Sequence, residues 1–227
     1  EHHMRTIGLI GGMSWESSQT YYRLINQGVR DALGGLHSAR LVMYSVDFAE
    51  IETLQHQGDW EATATILAKA ARALEAAGAD FMVLCTNTMH KVAEQIEQAV
   101  SIPLLHIADA TASVLKSAGV TSVGLLGTRF TMEQAFYRDR LEQQGIRVLI
   151  PEESQRERVH RVIYDELCLG QIRDDSRKAY LDIVASLAER GAQGVILGCT
   201  EIGLLIQAAD TEVALYDTTR IHAEQAV

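Results

Sequence analysis

Only two prolines occur in 227 residues, and no Gly/Ser-rich or low-complexity stretch separates one part of the chain from another. No flexible linker is expected. The three cysteines, Cys85, Cys168 and Cys199, cannot form a disulfide framework. Free thiols suit a reducing compartment, so a cytoplasmic location is expected. No apolar run approaches the roughly 20 residues of a membrane span, and no membrane partner is expected. Positive charge is scarce: 20 Lys and Arg against 30 Asp and Glu give a net charge of −10. That balance argues against nucleic acid or an anionic membrane surface as the main partner, while leaving room for a local carboxylate pocket.

Several chemical signatures are missing too. No Gly-Lys-Ser/Thr phosphate loop occurs. Gly8-Leu9-Ile10-Gly11-Gly12 lacks the third glycine of the dinucleotide fingerprint. No Cys/His spacing points to zinc, and no lysine has the setting of a pyridoxal Schiff base. Neither a cofactor nor a metal is expected. Glu1-His2-His3 reads as a tag remnant before Met4.

What is present is an alternation of short apolar runs and helical patterns. Arg5 to Ile10 reads as a strand. Ser14 follows as a helix cap, with Tyr22, Ile25, Val29 and Leu33 at helical spacing and Gly34-Gly35 as the stop. Leu41 to Val46 is a second strand. Asp59 caps a helix with the stripe Trp60, Ala64, Leu67, Ala71 and Leu74, closed by Gly78. Phe81 to Leu84 is a strand, Met89 to Val100 a helix, and Leu104 to Ile107 a short strand after Pro103. The pattern then restarts with a strand at Ser122 to Gly127, a helix at Met132 to Gln144 and a strand at Ile146 to Ile150. Helices over Glu153 to Leu169 and Asp174 to Arg190 precede strands at Val195 to Leu197 and Val213 to Tyr216. Such alternation predicts an α/β fold with parallel sheets and helices on both faces.

The restart is a repeat. Gly8 maps to Gly124 and Gly78 to Gly191, at offsets of 116 and 113. Two pseudo-symmetric lobes are expected, with a cleft between them suited to a small molecule. In both halves an apolar strand ends in hydroxyl and thiol residues: Cys85-Thr86-Asn87-Thr88 in one, Gly198-Cys199-Thr200-Glu201 in the other. Ligands of open α/β sheets bind at that carboxyl edge.

Cys199 precedes a helix start, which would favour the thiolate; a buried, inert thiol is the competing reading. Asn87, Thr88, Thr128 and Thr200 lie where backbone N–H groups, hydroxyls and an amide could hold a carboxylate. Capping alone would account for any one of them; their convergence favours a carboxylate site. The backbone of Met13–Ser14 is a further donor. His90 and His106 read as structural histidines more readily than as bases.

Together, Ile7-Gly8-Leu9-Ile10-Gly11-Gly12-Met13-Ser14, Cys85-Thr86-Asn87-Thr88-Met89-His90 and Gly198-Cys199-Thr200-Glu201 resemble the aspartate/glutamate racemase family over essentially the whole chain. The likeness is strongest to its bacterial branch of broad-specificity amino-acid racemases. It implies two flavodoxin-like lobes with the active site in the cleft between them, no cofactor, and two side chains that exchange the Cα proton of an amino acid on opposite faces. It also implies that the fourth strands cross over. Residues 4–101 and 216–227 would then form lobe one, and residues 102–215 lobe two. A homodimer is compatible with the resemblance.

The family usually reads Cys-Asn-Thr where this chain reads Cys85-Thr86-Asn87-Thr88. Alignment on Asn87-Thr88 puts Thr86 at the catalytic place. The repeat agrees: Thr86 lies 8 residues after Gly78, and Cys199 lies 8 after Gly191. Since neighbouring strand residues face opposite sides, Cys85 is expected to turn into its lobe. The catalytic pair is therefore read as Thr86 and Cys199, with Met13, Gln55, Asn87, Thr88, Thr128 and Thr200 on the substrate. Aspartate-specific relatives carry an arginine and a lysine where this chain aligns Ile51 and Cys168, so broad specificity is expected rather than strict use of aspartate and glutamate. The competing readings are a hydantoin racemase or cis–trans acid isomerase of the same superfamily, and a non-catalytic amino-acid-binding protein. A nicotinamide enzyme ranks behind these.

Overall fold

A computed structural model describes residues 4–227; Glu1 to His3, read above as a tag remnant, lie outside the described residues. The first part of the chain runs β1 (Ile7–Gly11), α1 (Trp15–Leu33), β2 (Leu41–Ser45), α2 (Phe48–Gln57), α3 (Trp60–Ala76) and β3 (Phe81–Leu84). A 3-10 turn (Thr88–Val92) and α4 (Ala93–Gln98) follow. The second part runs α5 (Ile107–Ser117), β4 (Ser122–Gly127), α6 (Arg129–Glu133), α7 (Ala135–Glu142), β5 (Arg147–Leu149) and α8 (Glu153–Asp165). It continues through α9 (Asp174–Glu189), β6 (Gly194–Gly198), α10 (Ile202–Leu205), β7 (Ala214–Asp217) and α11 (Thr218–Ala226). Contacts divide the chain into two units: residues up to His106 together with His222–Val227, and residues Ile107–Ile221.

Unit one holds a parallel sheet of order β2-β1-β3, and unit two a parallel sheet of order β5-β4-β6-β7. The two sheets repeat one register. Gly8 pairs with Met82, and Gly124 with Val195. A single parallel bridge joins Met82 to Leu104, as Val195 joins Leu215. Each central strand has its glycine where a helix leucine presses close: Leu74 of α3 on Gly8, Leu187 of α9 on Gly124. Each of those helices ends in the same turn. Gly78 (φ 94) and Gly191 (φ 107) take the left-handed region that glycine adopts without a Cβ penalty. The next N–H then returns to the leucine carbonyl, from Ala79 to Leu74 (3.1 Å) and from Ala192 to Leu187 (3.1 Å).

The expected strand exchange does not occur. Pro103 and Leu105 bond to Met82 of β3, and Tyr216 pairs with Ile196 of β6. The single bridge at Leu104 and the strand β7 each stay beside the strand that precedes them in sequence, as short crossover connections favour. The expected boundaries at 101/102 and 215/216 accordingly differ from the contact divisions at 106/107 and 221/222. Ile107 opens α5 rather than closing a strand.

Alternation sorts the strand side chains. Ile10, Met82 and Leu84 pack with Leu67, Ala71 and Leu74 of α3 on one face of the unit-one sheet. Ile7, Leu9, Val83 and Cys85 pack with Tyr21 and Ile25 of α1 and Ala223 of α11 on the other. In α1 the expected Ile25 and Val29 are buried, together with Tyr21 and Leu24, whereas Tyr22 and Leu33, at the two ends of the expected stripe, are exposed. The helix expected at Met132–Gln144 is two helices. Thr128 caps the first through a bond from the Thr131 N–H, and Gln134 (ψ 147) breaks the path between them.

Candidate active site

At the carboxyl end of β3 the ladder stops at Cys85, whose N–H still donates to Ile10 (2.9 Å). The Thr86 N–H then donates back to the Leu84 carbonyl (2.9 Å), a three-residue reversal centred on Cys85. Cys85 is fully buried in the apolar face described above, and burial pushes its thiol well above the ordinary thiol range. An uncharged thiol in such a place is a packing residue. Thr86 is half-buried, while Asn87 and Thr88 are buried at the head of the 3-10 turn. The Thr86 carbonyl accepts from His90 Nδ1 at 2.6 Å.

The equivalent end of β6 has different chemistry. Cys199 is half-buried, and its Sγ donates to Glu201 Oε2 at 3.0 Å. Glu201 itself is buried. The sequence led us to expect a thiol eased towards its anion by a helix start; instead burial, the Glu201 carboxylate and the nearby Cys168 thiol push Cys199 well above its ordinary range. The helix that follows, α10, is four residues long and offers little dipole, so burial and the carboxylate prevail. Tyr180 lies in the same field; burial first, then the Cys199 charge, raise its phenol. Thr200 accepts from the Thr219 hydroxyl (3.0 Å), at the first turn of α11.

Met13 buries its side chain in the α3-side core, leaving only its backbone for binding. Gln55 is buried on α2, with Nε2 3.0 Å from Met89 Sδ. Thr128 caps α6, its hydroxyl accepting from the Thr131 N–H. Ile51 is fully buried, and Cys168 is half-buried against the core that also packs Cys199. Sequence reasoning missed Glu201 as a partner of Cys199, although its place two residues on was in view. It also missed His222, which carries no motif around it.

A family profile described as Asp/Glu/hydantoin racemase matches residues 10–226. The fold is shared with a solved candidate Asp/Glu racemase from Yersinia pestis, 57% identical over 98% of this chain and 97% of that one, at a TM-score of 0.92. An aspartate racemase homologue from Pyrococcus horikoshii OT3 is 35% identical over 98% of this chain and 97% of that one, at a TM-score of 0.84. In sequence the chain is 27% identical to the broad-specificity amino-acid racemase RacX of Bacillus subtilis, over 68% of this chain and 66% of that protein's length. The chain belongs to the Asp/Glu/hydantoin racemase family.

Proposed function

We propose that the protein is a cofactor-independent amino-acid racemase of broad specificity, with Cys199 and Thr86 as its two proton-transfer groups. The observation that carries this reading is the 3.0 Å contact between Cys199 Sγ and Glu201 Oε2 at the end of β6. A thiol whose own proton is held tightly needs an acceptor within reach, and a carboxylate at hydrogen-bond distance is one. The Cys199 proton passes to Glu201, and the thiolate takes the Cα proton of the enantiomer presented to it. Donors at the strand ends, among them the Met13–Ser14 backbone, Asn87, Thr88, Thr128 and Thr200, stabilise the carboxylate as negative charge develops. Thr86 delivers a proton to the other face of the same carbon, through water, because a hydroxyl is a far weaker acid and base than a thiol. Gln55 faces the substrate side chain in this reading.

Broad specificity is supported by what stands at the two positions that carry cations in aspartate-specific relatives. Ile51 is a fully buried hydrocarbon, and Cys168 a half-buried thiol. Neither carries a positive charge to match a side-chain carboxylate, and a desolvated charge left unmatched costs several kcal/mol, by order of magnitude. No helix among the described residues is long and apolar enough to cross a membrane. A cytoplasmic enzyme acting on free amino acids fits these features.

The test is a panel of L- and D-amino acids in deuterium oxide, read by NMR for Cα exchange with no added cofactor. Exchange with loss of optical rotation across neutral and polar amino acids is expected. Turnover confined to aspartate and glutamate would overturn the specificity. Tight binding without exchange would favour a binding protein instead.

A further inference from the structure

Beneath the Thr86 turn lies a cluster of buried rings that the proposed chemistry leaves unused. His90, His106 and His222 are 3%, 3% and 0% exposed. The His90 ring centroid is 4.6 Å from that of His106 and 5.7 Å from that of His222. His222 is fixed at both nitrogens, Nε2 lying 2.7 Å from the Leu105 carbonyl and Nδ1 2.7 Å from the Tyr21 hydroxyl. A carbonyl only accepts, so Nε2 carries the hydrogen and Nδ1 accepts from the phenol. The same logic fixes His90: its 2.6 Å contact to the Thr86 carbonyl requires the hydrogen on Nδ1. Among the described residues no group of three metal-ligating side chains is arranged to hold an ion. Facing His90 from other elements are the imidazoles of His106 and His222, with Tyr21 behind His222. Burial first, then the two neighbouring imidazoles, push His90 well below the ordinary imidazole range, and burial pushes His222 the same way.

We propose that His90 is a positioning residue for Thr86. Its Nδ1–H clamps the Thr86 carbonyl and, braced by His106 and His222, fixes the turn that presents the Thr86 hydroxyl. This deepens the racemase reading and rests on it. Residues 84–86 form the three-residue reversal by which the chain leaves the ladder. From there the 3-10 turn uses the Asn87 carbonyl, which accepts from the His90 N–H at 3.1 Å. The imidazole supplies the Thr86 carbonyl with a donor one residue earlier. Without it the backbone torsions at Thr86 lose a restraint at the place where a misplacement of about 1 Å costs about 10²-fold in rate.

The experiment compares His90→Phe, which fills the ring space without a donor, with His90→Asn, whose amide N–H reaches close to the Nδ1 place. Both are scored for inversion and for Cα deuterium exchange with retention. In His90→Phe inversion falls at least tenfold, the KM stays within twofold, and exchange with retention through Cys199 persists, so the ratio of exchange to inversion rises. His90→Asn returns inversion to within a few-fold of the parent. A folded His90→Phe that inverts within twofold of the parent overturns the proposal, as does one that loses exchange and inversion in step. Long-range proton–nitrogen spectra of the unaltered protein give a reading that needs no variant. A neutral His90 with hydrogen on Nδ1 at pH 6 is expected, and an Nε2–H or doubly protonated ring would overturn it. An unaltered protein inert on the whole amino-acid panel sinks the racemase reading together with this one. An active protein indifferent to His90→Phe sinks the positioning role alone.

Discussion

The ends of β3 and β6 share a backbone and almost nothing else. Helix, glycine turn and strand register are repeated, down to the leucine on each central glycine. Yet Thr86 sits on neutral imidazoles, while Cys199 sits beside a carboxylate, a second thiol and a phenol. Backbone geometry is held by contacts that tolerate little change, such as a Cβ-free glycine under a leucine. The residues just past the strand share no such contact between the two units, and there the sequences differ. The duplicated frame therefore offers two similar platforms, and the chemistry placed on them is lopsided.

The sharpest way to break that comparison is at sulfur. Cys199→Ser is expected to lower racemisation by about 10³-fold, since proton transfer by a positioned group is worth about 10²–10⁴. Cys85→Ser should leave turnover within a few-fold of the parent and cost about 1–3 kcal/mol of stability, by placing a hydroxyl in an apolar core. Steady-state polarimetry with urea unfolding reads both. A dead Cys85→Ser that still folds would restore a two-thiol mechanism and remove the asymmetry.

Opposite pH responses follow from the same contrast. Burial pushes His222 down to about 4, whereas an unfolded histidine binds a proton near 6.5. The unfolded chain takes up a proton that the fold refuses, so stability falls as pH drops from about 6.5 towards 4. The gap corresponds to roughly 3 kcal/mol, and His90 adds to it with the same sign. Cys199 does the reverse. Its raised thiol makes the fold prefer the protonated form, and stability is lost as pH rises above about 8.5. Urea midpoints measured from pH 4 to 9 should show both limbs, and His222→Gln should flatten only the acid one.

A smaller effect separates the two roles of Glu201. Glu201→Gln removes both the negative charge that holds the Cys199 proton and the acceptor for it. Racemisation should fall by about 10²-fold. Alkylation of Cys199 by iodoacetamide at pH 8, in a Cys168→Ala background, should become faster because the thiolate is easier to form. Both rates falling together would mean that Glu201 only supports the fold.

The repeat, the parallel α/β frame and the inward turn of Cys85 were legible because each rests on local signals: glycine spacing, apolar runs and strand alternation. The α3 stripe from Trp60 to Leu74, with its Asp59 cap, is another such case. The partnership of Cys199 with Glu201 was hidden because the spacing of two residues gives no angle between side chains. His222 was hidden more deeply, since it meets Tyr21 across 201 residues of sequence. The strand exchange was wrong because β-pairing partners are set by three-dimensional proximity, which Leu104 and Tyr216 do not encode locally.

The least effect expected lies within the repeat itself. An alanine Cβ at Gly8 would stand 2.9 Å from Ala79 Cβ and 3.3 Å from Leu74 Cβ, both fixed to backbone. At Gly124 the nearest atom, 2.8 Å away, is Leu187 Cδ1, the free end of a side chain that can rotate away, and the nearest atom fixed to backbone is Leu187 Cβ at 3.2 Å. Overpacking in a closed core costs about 1–3 kcal/mol. Gly8→Ala should fall near the upper end of that range and Gly124→Ala near the lower, measured as the difference in urea midpoint at pH 7. Equal losses would mean that Leu187 is as tightly held as the Ala79 backbone. The two units would then match in packing rigidity as well as in register, and their divergence would be confined to the residues beyond the strand ends.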